Sequence, residues 1–560
     1  MPTVSEVVAR TLREYGTEKF FCFMGGDHEL WYALHDEGIE IVNCRSEAGA
    51  VYMADGYGRV SGKPGFVYGQ RGPGVSNVAG AMADPLWASS PLVSLTSSIA
   101  MASRDRFEYQ ELDCLEMHKG VTNWNKTMWV PERAGAMVRA AIRAATGPTP
   151  RPVHLEIPAN FFAAEAGKQE IYRDDSLGIV NGRRVPPPAG VMRTIVDRLL
   201  KAKKPIILAG KGVVISDAWV ELTKFADALS IPVVTSLGGK GAIAENHELA
   251  VGTIGRNSRR VGNDTVRACD MVLVIGSRMG GLVSHRWTLP FEEKTVFQID
   301  TNHETMALNY KADITVLADA KLALADGLAE IKKGKLARGR TPWSKQISKN
   351  VEAWRKNAAK QAVEDPKDGI HPAAIVAAMQ DVLAPQDLVG ADTGAIGSWG
   401  GTLYEVQAGK TFVRANGSLG WVVPGVMGAQ LGRPKHRAVA LSGDGGILYH
   451  LTELETALRI GIPIVIVVVN NACLASEYHA QKHGRHGNHA VVSEVLDFSD
   501  TDFGAVARAF GAHGSRVTDR HDLKDAIRDA LKSKMPALVD VVSSKEVVGP
   551  SANNDKTRLV

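Results

Sequence analysis

The residues of this chain best suited to hold an ion are an aspartate and an asparagine that close two successive apolar runs. The first run leads into Leu441-Ser442-Gly443-Asp444-Gly445-Gly446, and the second, Ile462–Val469, leads into Asn470-Asn471. A carboxylate and an amide oxygen are hard ligands, right for Mg²⁺ or Ca²⁺ and wrong for zinc. Gly443, Gly445 and Gly446 would let backbone N–H groups approach a diphosphate at a helix N-terminus, where the dipole favours anions. The same glycines would serve an ordinary turn. The Asn pair at the next strand end favours the ion.

The elements that must position these groups are legible around them. Ala438–Leu441 is apolar and β-prone. Leu448–Ile460 spaces Leu451, Leu454 and Leu458 for one helix face, and Gly461 with Pro463 ends it. Ile464–Val469 reads as a fully buried parallel strand. In such a βαβ unit both strand ends lie on one sheet edge, where ligands bind, so Asp444 and Asn471 are expected side by side.

Length and composition set bounds. At 560 residues, about three domains of roughly 150–200 residues each are expected. A hydrophobic fraction of 45% with 56 glycines suits a large-cored α/β protein, and a net charge of +4 argues against a nucleic-acid partner. The five cysteines (22, 44, 114, 269 and 473) lack CxxC spacing, so neither a zinc site nor a disulfide framework is indicated. No apolar run is long enough to span a membrane and no signal peptide is evident, so a cytoplasmic enzyme is expected. The pattern predicts three doubly wound domains with mostly parallel sheets at 1–180, 189–335 and 369–550, with a linker over 336–368. Expected strands in the middle domain are Ile206–Ala209, Pro232–Thr235, Met271–Ile275 and Thr295–Ile299. Ten Lys or Arg residues between Lys332 and Lys360 read as a solvated linker helix. The polar tail Gly549–Val560 is expected to be mobile.

Gly443-Asp444-Gly445 followed by Asn470-Asn471 resembles the signature of thiamine-diphosphate (ThDP) enzymes. Arg45-Ser46-Glu47-Ala48-Gly49-Ala50, Met53–Arg59, Gly72-Pro73-Gly74-Val75-Ser76-Asn77 and Pro91-Leu92-Val93 resemble the first domain of acetolactate synthases and 2-keto acid decarboxylases. The resemblance covers nearly the whole chain. It implies that Asp444, Asn471 and the main-chain carbonyl of Cys473 hold Mg²⁺, which in turn holds the cofactor's diphosphate. It makes Glu47 the glutamate that hydrogen-bonds the pyrimidine ring and so promotes formation of the thiazolium ylid. Ser46 stands where the family usually has His. Gln110 matches the glutamine lining the substrate side, and Glu453 a glutamate that many members carry.

The remaining assignments also come from the resemblance. Val389–Gly394 matches the strand and loop that open the cofactor cleft, with Gly394 beside the cofactor. Gly417-Ser418-Leu419-Gly420-Trp421 matches the element whose bulky residue, here Leu419, bends the cofactor into a V. His28 falls near a position where some relatives place a polar catalytic residue, though the interval from Gly25 to Glu47 is one residue short and leaves the register open. Glu477 occupies the offset of a catalytic glutamate in pyruvate-type decarboxylases, whereas Gln481 stands about where acetolactate synthases have tryptophan. In the middle domain, relatives bind FAD, ADP or nothing. Arg278 and Asp300 match nucleotide-contacting positions, but Gly255-Arg256-Asn257-Ser258 and Met279-Gly280-Gly281 depart from the synthase pattern. A structural spacer is the alternative there.

The implied activity is cleavage or formation of a C–C bond in a 2-keto acid or related ketone. A non-oxidative decarboxylase releasing an aldehyde and a non-catalytic ThDP-fold subunit are the alternatives. A homodimer or homotetramer is implied, with active sites between subunits.

Overall fold

The computed structural model describes residues 1–361, 363–483 and 491–550. Residues 551–560 of the expected mobile tail lie outside the described residues. Three six-stranded parallel sheets, each flanked by helices, follow one another along the chain. The first contains β1 (Lys19–Cys22), β2 (Glu40–Asn43), β3 (Gly65–Gly69), β4 (Leu92–Ser98), β5 (Trp124–Thr127) and β6 (Pro152–Pro158), in the order β2-β1-β3-β4-β6-β5. The second contains β7 (Pro205–Ala209), β8 (Val233–Thr235), β9 (Ala250–Thr253), β10 (Met271–Ile275), β11 (Thr295–Asp300) and β12 (Ile314–Leu317), ordered β12-β11-β10-β7-β8-β9. The third contains β13 (Leu388–Ala391), β14 (Phe412–Arg414), β15 (Ala438–Gly443), β16 (Val465–Asn470), β17 (His513–Val517) and β18 (Ala537–Val542), ordered β14-β13-β15-β16-β18-β17. The first and third orders are the same pattern, so these two domains share a topology. In both, the strand order reverses beside the first strand, and there a parallel sheet opens a crevice for a ligand.

By packing, the chain falls into two compact units. One comprises Met1–Arg183, Ala415–Ala438 and Tyr449–Ile464, and the other Arg184–Arg414, Val439–Leu448 and Val465–Val560.

In the first unit, helix Glu47–Ser61 starts where Ser46 Oγ accepts the Gly49 N–H at 3.0 Å and stops at Gly62, which is left-handed with φ 74°. Its small residues let helix Val422–Gly432 approach to backbone contact. A Cβ on Gly56 would lie 1.8 Å from the Gly425 carbonyl oxygen, and one on Gly428 would lie 1.8 Å from that of Met53. No side chain fits at either crossing point.

In the second unit, strands such as β10 and β16 are buried along their whole length, as continuous runs of Val, Ile, Leu and Met require. A buried ion cluster ties the second sheet to residues of the third domain. Glu245 Oε2 meets Lys240 Nζ and accepts the Val406 N–H at 2.9 Å, while Arg259 donates from Nε to the Thr402 carbonyl at 3.0 Å. Arg355 Nε donates to Glu405 Oε1 at 2.8 Å, and the Arg259 guanidinium lies over the Trp354 ring. Burial pulls the Lys240 pKa down to about 8.

The helix expected over 448–460 forms in two pieces, Asp444–His450 and Glu453–Arg459. The first begins at Asp444 itself, so the glycine turn is already helical. The basic linker helix runs over Pro342–Gln361 and is solvated on one side only, since Ile347, Val351 and Trp354 are buried against the second domain.

The glycine crossing generates a stability prediction. Gly56→Ala should lower unfolding free energy by about 1–3 kcal/mol, the range for forcing an extra carbon into a packed interior. Gly80→Ala, where the added carbon meets nothing within 4 Å, should gain roughly 0.5–1 kcal/mol from the helix interior. Urea unfolding of both variants checks this, and equal midpoints would contradict the close crossing.

Candidate active site

The third sheet places the candidate ion-binding residues at the end of β15 and at the adjacent end of β16. Asp444 is 5% exposed. Its Oδ1 accepts the Gly445 N–H at 2.7 Å, and its Oδ2 accepts those of Asn471 at 2.9 Å and Cys473 at 3.1 Å. Burial raises its pKa and these N–H groups oppose the rise. Asp444 and Asn471, 27 positions apart, are therefore brought together, as the βαβ reading requires.

The two asparagines divide the work. Asn470 donates from Nδ2 to Asp540 Oδ1 at 3.0 Å and to the Thr501 carbonyl at 2.9 Å, and its Oδ1 accepts the Ala472 N–H at 3.3 Å. It fixes a turn in which Ala472 is left-handed, with φ 53°. Asn471 Oδ1 is buried and accepts no hydrogen bond among the described residues. A buried acceptor without a donor is costly and fits a cation. The Cys473 carbonyl accepts the Ala475 N–H at 2.9 Å, which leaves its second lone pair. The Cys473 thiol packs with Tyr478 and Leu496 in a small apolar cluster. One carboxylate, one amide oxygen and one carbonyl form an all-oxygen set that fits Mg²⁺.

The surrounding glycines have different reasons. A Cβ on Gly446 would fall 2.2 Å from Asp392 Oδ2, and one on Gly445 would crowd Leu474 and Phe498. Gly443 meets nothing within 4 Å and stays open to a ligand. Gly394 has φ 99°, with Ser476 Oγ 3.8 Å from where its Cβ would be. Next to it, Thr393 Oγ1 is buried without a partner among the described residues. Glu477 is exposed on helix Ala475–His483.

The first sheet gathers a second group along its C-terminal edge. Glu47, half-buried, is the first residue of its helix, and its Oε2 accepts from Asn77 Nδ2 at 3.1 Å. A Cβ on Gly74 would lie 3.2 Å from Glu47 Oε1, and one on Gly72 would lie 2.7 Å from Gln110 Cβ. The Gly72-Pro73-Gly74 turn is thus wedged between Glu47 and Gln110. Gln110 itself is left-handed, with φ 66°, a conformation disfavoured without glycine. His28 is exposed at the start of helix His28–Asp36. The turn before it is fixed by Trp31 Nε1, which donates to the carbonyls of Gly25 and Gly26, and by Tyr68, which donates to Asp27. Leu419 is half-buried between Gly417 and Gly420, both at positive φ.

Asn77 and Gln70 carry no role in the sequence reading, yet they touch this group. Asn77 stands in the same motif as Gly72 and Gly74, so the turn itself was the available signal. The Gln70 side chain fills the space beside Gly25. Glu453 also supports Glu47. Its fully buried carboxylate accepts the Arg45 N–H at 3.0 Å and the Thr456 hydroxyl at 2.7 Å, and Gly49 is glycine because a Cβ would fall 2.2 Å from Glu453 Oε1.

In the second sheet the strand order reverses between β7 and β10, and there the Gly210 and Gly276 backbones meet. A Cβ on Gly210 would lie 2.1 Å from the Gly276 carbonyl oxygen, which accepts the Gly212 N–H at 3.0 Å.

Comparison with known proteins fits this arrangement. The family model for the N-terminal TPP-binding domain of thiamine pyrophosphate enzymes matches residues 2–117, that for the central domain matches 192–326, and that for the C-terminal TPP-binding domain matches 392–541. The chain belongs to the thiamine-pyrophosphate-dependent enzymes. Acetolactate synthases are among its relatives. It is 28% identical over 551 residues to a probable acetolactate synthase large subunit of Methanocaldococcus jannaschii, covering 96% of this chain and 91% of that protein. Acetolactate synthase isozyme 3 large subunit of Escherichia coli is 26% identical, with 98% and 96% covered, and sulfoacetaldehyde acetyltransferase of Alcaligenes xylosoxydans 27%, with 98% and 94% covered. Among the described residues no helix is long and apolar enough to cross a membrane.

Glu453→Ala should leave the Arg45 N–H buried without an acceptor and lower unfolding free energy by about 1–3 kcal/mol. Urea unfolding measures this. A variant as stable as wild type would show that Glu453 does not hold the turn before Glu47.

Proposed function

We propose that this chain is a Mg²⁺-requiring, acetolactate synthase-like enzyme that makes or breaks a C–C bond in a 2-keto acid or related ketone. The observation that carries the reading is the buried Asn471 Oδ1, without a partner among the described residues, on a residue whose N–H binds the buried Asp444 carboxylate. Asp444, Asn471 and the Cys473 carbonyl would hold Mg²⁺, and Gly443 the diphosphate beside it. When bound, ThDP supplies a thiazolium that acts as an electron sink next to a substrate carbonyl.

The protein's own groups do the rest. Glu47, oriented by the Asn77 amide, holds and moves a proton at the pyrimidine ring. Leu419 supports the bend of the cofactor. Gln110 orients the substrate or acceptor without supplying a proton, and His28 stands at the rim of the same sheet edge. The domains are read as 1–180, 189–335 and 369–550, with the linker 336–368 between the last two. The middle domain is either a structural spacer or a site for FAD or ADP, with Arg278 and Asp300 as the positions that would contact such a nucleotide.

At least a homodimer is proposed. Trp87, Phe107 and Tyr109 are each exposed aromatic side chains of the first unit. Aromatic residues exposed together mark association surfaces.

The second reading, a decarboxylase with Glu477 as proton source, is less favoured because the Glu477 side chain is exposed. If ligation is the reaction, Gln110→Ala loses carboligation first, while Glu477→Gln leaves the product ratio unchanged. The assay is chromatography of the products from pyruvate with an added acceptor aldehyde. Loss of aldehyde release alone in Glu477→Gln would favour the decarboxylase. Glu47→Gln should retain ThDP but slow deuterium exchange of the thiazolium proton by about 100-fold or more, at the lower end of what a positioned acid–base group contributes. A wild-type exchange rate would remove Glu47 from this role.

A further inference from the structure

A buried charge network in the first unit ends on the loop that presents Leu419. Arg59, on the helix that begins at Glu47, donates from Nε to Asp55 Oδ1 at 2.8 Å and from Nη2 to Asp84 Oδ1 at 2.8 Å. Its guanidinium lies 4.2 Å from the centre of the Trp421 ring, and Trp421 Nε1 donates to Asp55 Oδ2 at 2.8 Å. Asp55, Asp84 and Trp421 are at most 1% exposed. One buried cation thus faces two buried carboxylates, and one arginine leaves the pair an acceptor in excess.

The loop supplies the missing donors. Asp84 Oδ2 accepts the N–H of Asn416 at 2.7 Å and that of Ser418 at 3.2 Å, and Asp84 Oδ1 accepts from Asn416 Nδ2 at 3.3 Å. Two main-chain N–H groups converge on one oxygen because Gly417, between them, has φ 142°, and Gly420 closes the loop at φ 85°. Leu419 lies directly between the second tethered amide and Gly420. The loop is therefore tethered to Asp84 before Leu419 and to the buried Trp421 ring after it.

We propose that Asp84 is a positioning residue that sets the height of Leu419 beneath the cofactor. The proposal rests on the reading of Leu419 given above. The diphosphate is assigned above to Asp444 and Asn471, which are not residues of this loop, so the tether should govern turnover rather than cofactor affinity.

The test is amide hydrogen exchange by mass spectrometry together with steady-state kinetics on the full chain, for wild type, Asp84→Asn, Asn416→Ala and Leu419→Ala. Asp84→Asn should speed exchange at residues 416–418 about tenfold or more, local opening being the event that exchange reports. It should cut kcat by about tenfold or more, as a small misplacement can. Its dissociation constant for ThDP, by calorimetry, should stay within about twofold of wild type. Asn416→Ala, which spares the ion pairs, should shift exchange in the same direction by a smaller factor, and it keeps the question open to test if Asp84→Asn fails to fold. Wild-type exchange at 416–418 in both variants overturns the tether. Faster exchange with unchanged kcat, while Leu419→Ala lowers kcat, overturns the positioning role. If Leu419→Ala leaves kcat at wild type, the reading of Leu419 fails, and accelerated exchange in Asp84→Asn still supports the tether.

Discussion

Everything at the third sheet's edge depends on acceptors buried in excess of donors. Asp444 lies just past β15, Asn471 donates its N–H to it, and the buried Asn471 amide oxygen has no donor among the described residues. In a water-poor crevice such an excess is costly unless a cation completes it. The N–H groups of Gly445, Asn471 and Cys473 orient the Asp444 carboxylate and leave the Asn471 oxygen available to the proposed cation. Asn470 makes this possible by tying the turn to Asp540 and Thr501, so that its neighbour need not.

The same logic recurs in the first unit in another form. There, backbone donors are buried and carboxylates are brought to them: Glu453 to the turn before Glu47, and Asp84 to the loop before Leu419. Glycine supplies the room. Gly49 makes way for Glu453, and the Gly56 and Gly425 pair lets two helices meet backbone to backbone. Rigid elements with small residues at the crossings can hold a reactive group in place without side chains of their own crowding it.

Much of this was legible in the amino-acid sequence, for reasons that can be named. A buried parallel strand is a continuous apolar run, so β10 and β16 announce themselves, and a glycine turn at a strand end marks the crevice. The pairing of Asp444 with Asn471 follows from two such ends on one edge. What stayed hidden has long sequence separation. Glu453 reaches Arg45 across 408 positions and Asp84 reaches Asn416 across 332, and neither carboxylate differs locally from a surface acid. The break between the helices Asp444–His450 and Glu453–Arg459 was also invisible, because the leucine spacing continues through it. Exposure of His28 and Glu477 is a tertiary property that no local pattern carries.

The central claim is that Asp444 and Asn471 hold a divalent cation through which the diphosphate is bound. Calorimetric titration of ThDP into the protein at fixed concentrations of Mg²⁺ tests it most directly. Affinity in the wild type should rise with Mg²⁺, and Asn471→Ala and Asp444→Ala should each weaken it about 100-fold or more, the upper range for losing a hydrogen-bonded ionic partner. Wild-type affinity in either variant, or ThDP binding that ignores Mg²⁺, would contradict the account.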